Sequence, residues 1–342
     1  MLDRTYDSYQ RLADLLIGAK IAIALRAMAE HGIADRLADG PVPVGTLAES
    51  TGLSVDPLRR VLRALSQYGV FRERADGRFE NTDISDCMRS EAAASLREMI
   101  LFLNHNASLR AWLQLEQTLA DGRSRFVDVN GAPLFKLFAE DKRLGEHFAK
   151  CMNNIYGPEA AKIANGFPFG EFRTVIDVGG GIGHVLAAIL AAHQTLRGML
   201  FDIEPTAVLA ANFMRERGLA DRCGVIGGDF FVEVPSGYDA YVVKSVLHDW
   251  DDARATAVLR QCRIAMADHS RLLILEEVVV PGQPVHNPHR FVDLDLLVHL
   301  GGKERTEAEY GELMKGAGFA LTRIVPVKDS FFSVIEGAPV SV

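Results

Sequence analysis

The segment Lys244-Ser-Val-Leu-His248-Asp-Trp-Asp-Asp252 holds the residue best suited to move a proton. A lone histidine is more often structural than catalytic. His248, however, follows Asp239 to Val246, an apolar run that reads as a buried strand. Open α/β sheets gather their ligands at such strand ends. A neutral imidazole placed there can serve as general base toward a hydroxyl, which is a weak nucleophile while protonated. A phenol titrates near 10 and imidazole near 6.5, so complete transfer before attack costs roughly 5 kcal/mol. Transfer during the attack lowers that cost. A carboxylate on the second ring nitrogen would fix the tautomer and stabilise the imidazolium. Glu276, Glu277 and Glu304 are the candidates. Glu276 and Glu277 are adjacent on a strand and face opposite sides, so only one of them can reach the ring. Asp249 reads as a cap of the following helix rather than as part of the chemistry.

A second constellation is Thr174-Val-Ile-Asp-Val-Gly-Gly-Gly-Ile-Gly-His184. A β-rich run ends in Asp177 and glycines, and an alanine-rich helix, Val185 to Ala192, follows. Glycines let a backbone bend sharply and approach a ligand closely. The helix N-terminus adds free N–H groups and a positive dipole end. A second strand, Gly198 to Asp202, ends in an acid able to hydrogen-bond a ribose diol. Three readings compete for the loop. A nicotinamide fingerprint wants glycine at position 184, where this chain has His184. A glycine-rich turn without ligand is the bland reading. The spacing of Asp177, Gly179, Gly181 and Gly183 resembles the S-adenosylmethionine (SAM) loop of class I methyltransferases, whose transfer of methyl from sulfonium to oxygen would use His248 as its base.

The elements that must position these residues alternate. After the second strand come a helix (Pro205 to Arg217), a strand (Cys223 to Gly227) with Gly228-Asp229-Phe230 behind it, the strand before His248, a helix containing Leu259 to Met266, and a strand from Arg271 to Val280. A helix from Thr306 to Ala317 leads to two antiparallel strands, Phe319 to Val327 and Ser330 to Ile335. This alternation predicts α/β architecture with a Rossmann-like, doubly wound, mostly parallel sheet. Asp177, Asp202, Asp229 and Lys244 fall at or near its carboxyl ends. Upstream, Thr46 with Glu49 forms a capping box for a helix ended by Gly52. A second helix starts at Ser54 and carries Val55, Leu58, Val61, Leu62 and Leu65 on one face. Val70 to Arg74 and Arg78 to Glu80 flank a turn at Ala75-Asp-Gly77, a hairpin. Helices plus hairpin make a winged helix. Ser95 to Gly157 reads as helical throughout, dense in Phe102, Trp112, Phe135, Phe138, Leu144, Phe148, Met152 and Ile155, with room for an apolar pocket.

The 342 residues suggest two domains. The boundaries expected are 1–95 for an N-terminal helical and winged-helix dimerisation domain and 96–342 for the catalytic one, with a helical linker over 96–165 and the Rossmann-like core over 166–342. The net charge of −8 speaks against a general nucleic-acid binder. The alternative of a SAM-sensing winged-helix regulator would place Arg59, Arg60 and Arg63 on phosphate. Cys87, Cys151, Cys223 and Cys262 are scattered and read as reduced thiols of a cytoplasmic protein. His286 and His289 have no thiol or carboxylate at ligand spacing, so no metal is expected. Leu15 to Ala29, broken only by Lys20 and Arg26, is too short to span a bilayer, which needs about 20 residues. A helix apolar nearly all round needs burial, and a second copy of the chain provides it.

Asp177-Val-Gly-Gly-Gly-Ile-Gly183, Gly228-Asp-Phe-Phe231, Leu247-His-Asp-Trp250, Leu275-Glu276 and Gly301-Gly-Lys-Glu-Arg-Thr306 follow one another in order and spacing. On these motifs the chain resembles the SAM-dependent O-methyltransferases typified by plant caffeic acid and isoflavone enzymes and by bacterial natural-product enzymes. The resemblance implies His248 as general base, with Glu276 and Glu304 flanking its ring. It implies that Asp177, Gly179, Gly181, Gly183, Asp202, Ile203, Asp229, Phe230 and Lys244 hold SAM, with Asp202 on the ribose and Asp229 and Phe230 on the adenine side. S-adenosylhomocysteine would be the product, and no metal would take part. Phe102, Phe138, Leu144, Phe148, Met152, Ile155 and Leu296 would line the pocket for an aromatic small molecule. The N-terminal helices would form a homodimer, and the winged helix would not bind DNA. Asp295 departs from the pattern, standing where plant enzymes carry an apolar pocket residue; it is either solvated or reads a polar substituent. Transfer to a carboxylate or to nitrogen is the enzymatic alternative; a carboxylate needs no base because it is already ionised.

Overall fold

Short, mostly apolar runs become the strands of a seven-stranded sheet. The structure, a computed structural model, describes residues 2–93, 95–282 and 289–340. The chain forms two compact units, Met1–Arg110 with Phe135–Asn154, and Ala111–Leu134 with Ile155–Val342. The helical stretch expected as a linker is thus divided between them.

The second unit holds the large sheet. Its strands are β1 (Thr174–Val178), β2 (Arg197–Asp202), β3 (Cys223–Gly227), β4 (Ala240–Lys244), β5 (Arg271–Glu276), β6 (Phe319–Pro326) and β7 (Ser333–Pro339). The order across the sheet is β3-β2-β1-β4-β5-β7-β6. The pairs among β1 to β5 are parallel, and β7 lies antiparallel between β5 and β6. This is the class I methyltransferase fold. Successive residues alternate between two cores: Ala240 and Val242 join Leu186, Ile189 and Leu190 on one face, Tyr241 and Val243 join Leu259 and Met314 on the other. A sheet buried on both faces reads as a near-continuous apolar run, which is why its strands stand out in the sequence.

In the first unit, helices Val44–Thr51 and Val55–Ser66 precede a hairpin of Phe71–Glu73 and Arg78–Asn81, with Val42–Pro43 as third strand. Leu47, Leu58, Leu62, Leu65, Phe71 and Phe79 form its core. The N-terminal helix Leu2–Glu30 leaves Leu12, Leu15 and Leu16 58%, 76% and 73% exposed.

Three local expectations need correction. Thr46 is not a cap: the helix begins at Val44 behind extended Pro43, whose fixed φ sets the entry without a side-chain bond. Ser95 to Gly157 is not continuous helix. It breaks into Arg97–Leu103, Asn106–Trp112, Leu115–Asp121, Phe126–Asn130, Leu134–Glu140 and the start of Lys142–Gly166. Gly122 and Gly131, in left-handed conformation, end two of these helices. A helix over His289–His299 was not expected at all. His286 lies outside the described residues, as does the side chain of His289.

Candidate active site

The site is built where β1, β2, β4 and β5 end. Glycines make the first half. Gly179, Gly181 and Gly183 all have positive φ, at 71°, 59° and 95°. A Cβ on Gly183 would collide with Met214 and one on Gly179 would lie 2.7 Å from Val246. At Gly181 a Cβ would meet nothing within 4 Å, so the loop is open there. Asp202 Oδ2 accepts from the Gly181 N–H at 2.8 Å, and its Oδ1 from the exposed Ile203 N–H at 2.8 Å. One acid thus ties the glycine loop to the end of β2. Asp229, behind β3, accepts from the Phe231 N–H at 2.8 Å, and the Phe230 ring approaches Gly179. Asp177 is 2% exposed, and burial pushes its carboxyl up to about 7, partly opposed by Lys244. Burial likewise lowers the Lys244 ammonium to about 7, opposed by Asp177. Its Nζ lies 5.1 Å above the Phe332 ring.

The second half is a single 3-10 turn, Leu247–Asp249, directly after β4. Its entry residue Ser245 has φ 52°, a strained conformation for a non-glycine of the kind that collects at functional sites. His248 is 8% exposed. Its Nδ1 meets Glu304 Oε1 at 2.8 Å. A carboxylate makes Nδ1 the donor and leaves Nε2 as the basic nitrogen. Burial lowers the imidazole's pKa, but the charge and hydrogen bond of Glu304, with Glu276 and Asp249 behind, raise it on balance to about 10. Glu304 is held in turn, its N–H donating to Asp293 Oδ1 at 2.7 Å. It pairs with neither Lys303 nor Arg305. Lys303 reaches Asp252 and Glu309, and Arg305 reaches Asp252.

Glu276 differs from expectation. Its hydrogen bonds run to the backbone of the turn and to Tyr310 rather than to the ring. Its Oε1 accepts from the backbone N–H groups of Val246, Leu247 and His248 at 3.0, 2.8 and 3.1 Å, and its Oε2 from Tyr310 Oη at 2.7 Å. Three amides converging at the start of a turn make an anion site, and this carboxylate fills it. Glu276 is therefore a positioning residue. Asp249 also differs: Asp251 caps the helix, accepting from the Arg254 N–H, while Asp249 Oδ1 lies 3.6 Å from His248 Nε2.

Sequence reasoning missed Arg305. It is fully buried and donates to the carbonyls of Leu247 at 3.0 Å and Trp250 at 2.9 Å. It missed Gly302 as well, where a Cβ would collide with the His248 carbonyl. The Gly301-to-Thr306 motif was the available signal for both.

The residues assigned to acceptor contact are distributed over both units. In the first, Phe138 stacks on Phe148 at 4.4 Å, and Phe102 lies 5.8 and 5.3 Å from them. Leu144 is buried and Met152 half-buried. The side chain of Ile155 lies outside the described residues. In the second, Leu296 is buried, and Asp295 accepts from Trp112 Nε1 at 2.8 Å. Burial pushes Asp295 up to about 6, and it lowers nearby His299 to about 4.

The residues fit SAM. Asp177 Oδ1 is buried without a hydrogen-bond partner among the described residues, Asp202 stands at the ribose position of such folds, and the loop is open at Gly181. Among the described residues no group of three or more His, Cys, Asp or Glu is placed to hold a metal. No helix among them is long and apolar enough to cross a membrane.

Fold and site together define a SAM-dependent methyltransferase. Residues 112–320 match the family model of the O-methyltransferase domain, and residues 13–91 that of the O-methyltransferase dimerisation domain. The chain belongs to this O-methyltransferase family. It is 37% identical over 330 residues to phenazine O-methyltransferase PhzM of Lysobacter antibioticus, covering 96% of each chain. It superposes on the mitomycin 7-O-methyltransferase MmcR with TM-score 0.93 at 34% identity, covering 99% of this chain and 100% of that one. On NcsB1 of neocarzinostatin biosynthesis, solved with SAM and 2-hydroxy-5-methyl naphthoic acid, the TM-score is 0.84 at 31% identity, with 93% and 96% covered. Relatives named as N-methyltransferases also match. None of this supports the regulator alternative, and Arg63 is bonded to Glu73 at 2.8 Å.

Proposed function

We propose that the chain methylates a phenolic hydroxyl of an aromatic small molecule, with His248 as general base. The observation that carries this reading is the 2.8 Å contact between His248 Nδ1 and Glu304. It directs the basic lone pair to Nε2, and a base raised to about 10 is matched to a phenol titrating near 10. SAM, when bound, supplies an electrophilic methyl group. Asp202 would orient the ribose, Asp229 and Phe230 the adenine, and Asp177, Lys244 and the glycine loop the rest. For acceptor contact we propose Phe102, Phe138, Leu144, Phe148, Met152, Asp295 and Leu296.

The exposed leucines of the N-terminal helix and the matched dimerisation domain support a homodimer, with residues 1–95 serving assembly and 96–342 catalysis. The helix pair with its hairpin would then be a winged helix used for assembly and not for DNA. Reduced cysteines fit a cytoplasmic enzyme.

Transfer to nitrogen is a second reading, favoured by the relatives named as N-methyltransferases. A screen of phenols, aromatic amines and aromatic carboxylates with methyl-labelled SAM, followed by locating the label, tests both. Label on oxygen of a phenol is expected. Label confined to nitrogen or carboxylate would replace the phenol reading.

A further inference from the structure

Each turnover on a hydroxyl, the reading on which this inference rests, leaves one proton on His248 Nε2, and the next cannot begin until it has gone. Two carboxylates face the ring. Glu304 holds Nδ1, and its side chain is only 5% exposed. Asp249 stands at Nε2, where the proton arrives, and its side chain is 20% exposed. Position and exposure both select Asp249. Its 3.6 Å separation from Nε2 exceeds a direct hydrogen bond, so the nitrogen stays open to an acceptor. A small rotation or one bridging water closes the gap afterwards. The carboxylate is not consumed by capping, since Asp251 does that. Gly302 packs closely against the Asp249 backbone, where a Cβ would lie 2.7 and 3.0 Å from Asp249 C and Cα.

We propose that Asp249 is the relay through which the proton collected by His248 leaves for water. The step is a plain proton transfer. Nε2–H gives its proton to Oδ1, the ring recovers its lone pair, and the neutral acid passes the proton to water or a buffer base. The charged groups facing Asp249 are His248 on its own turn, Lys244 from β4, Glu276 from β5 and Glu304 from the loop before helix Glu307–Gly316. Burial, opposed by the cation of His248, raises Asp249 to about 6, which narrows its gap to the imidazolium near 10 and lets it hand the proton on to water near neutrality.

The test uses the full chain, labelled with ¹⁵N at histidine and saturated with S-adenosylhomocysteine. NMR measures exchange of the His248 Nε2 proton with water, so no acceptor is required and failure here is separable from failure of the acceptor screen. Asp249→Asn is expected to slow exchange at least tenfold, with acetate restoring it in proportion to its concentration. Asp249→Ser serves as a second variant. In the unmodified protein, exchange should fall as the pH drops below about 6, where Asp249 becomes protonated. Exchange unchanged in the variants, or flat through that pH range in the unmodified protein, would overturn the proposal.

Discussion

Glu276 and Arg305 grip the same short turn from opposite sides. The carboxylate takes the N–H groups of Val246, Leu247 and His248, and the guanidinium takes the carbonyls of Leu247 and Trp250. His248, the proposed base, therefore sits on a backbone fixed at both polar ends, independently of its ring contact with Glu304. Glu276→Ala should cost about 1–3 kcal/mol for each amide left dry. Glu276→Gln keeps an accepting oxygen and should be milder. Arg305→Lys should also destabilise, because one ammonium cannot reproduce the fork. Urea unfolding of the three variants measures this, and an Ala variant as stable as the parent would refute the clamp.

The raised pKa of His248 sets the pH dependence. Only the neutral ring is a base, so kcat/KM should climb with pH through neutrality and level off near 10. Glu304→Gln removes the raising charge, moving the rise to lower pH and lowering the plateau. His248→Ala should lose about 10²–10⁴ in rate, with partial recovery at high pH as the phenol ionises unaided. Stability follows the same group. The folded pKa lies above the unfolded one, so the pair's contribution is full below about 6.5 and drains away as the pH rises through about 10. A pH–rate profile identical in parent and Glu304→Gln would disprove the coupling.

Asp202 joins the glycine loop to the end of β2 while serving as the proposed ribose partner. Asp202→Ala should weaken SAM binding by about 1.5–3 kcal/mol, the range for hydrogen bonds to a charged group. Titration calorimetry reads this directly, and unchanged affinity would remove Asp202 from the site.

Gly302 touches the turn that carries His248 through space that any side chain would fill. Gly302→Ala must push the loop or the His248 carbonyl aside. Displacement near 1 Å is enough for about a 10²-fold fall in kcat. SAM affinity should hold, because the glycine loop and Asp202 are untouched. Full activity in this variant would show that the turn tolerates displacement.

The exposed leucines on the N-terminal helix predict an assembly phenotype. Leu15→Glu with Leu16→Glu should convert the proposed dimer to monomer, as sedimentation velocity would show. A double variant that still sediments as a dimer would place the interface elsewhere.

Much of the catalytic half was legible because strand ends announce themselves. β1 and β4 are short, mostly apolar runs, and the residues just after them in sequence stay beside them in space. The parts that escaped reading are bonds across long separations. Glu276 reaches amides about thirty residues upstream, and Arg305 reaches carbonyls nearly twice as far. No periodicity records such a pairing. The helix His289–His299, which brings Asp293 to Glu304, escaped for another reason: it follows a Pro/Asn-rich segment that suggests loop, and its pattern is weakly amphipathic. Thr46 misled because a capping box can be written into a helix that proline has already started.

The place of β7 has a consequence for synthesis. The last strand of the sheet to be translated lies inside it, between β5 and β6. Until the ribosome has delivered Ser333 to Pro339, β5 has an open hydrogen-bonding edge of Leu272 to Glu276, four of whose five side chains are leucine or isoleucine. At about 5–20 residues per second that edge stands unprotected for roughly 3–13 s after β5 emerges. An apolar strand edge left open so long invites pairing with other nascent chains, so crowding of ribosomes on one message would tax this enzyme's yield.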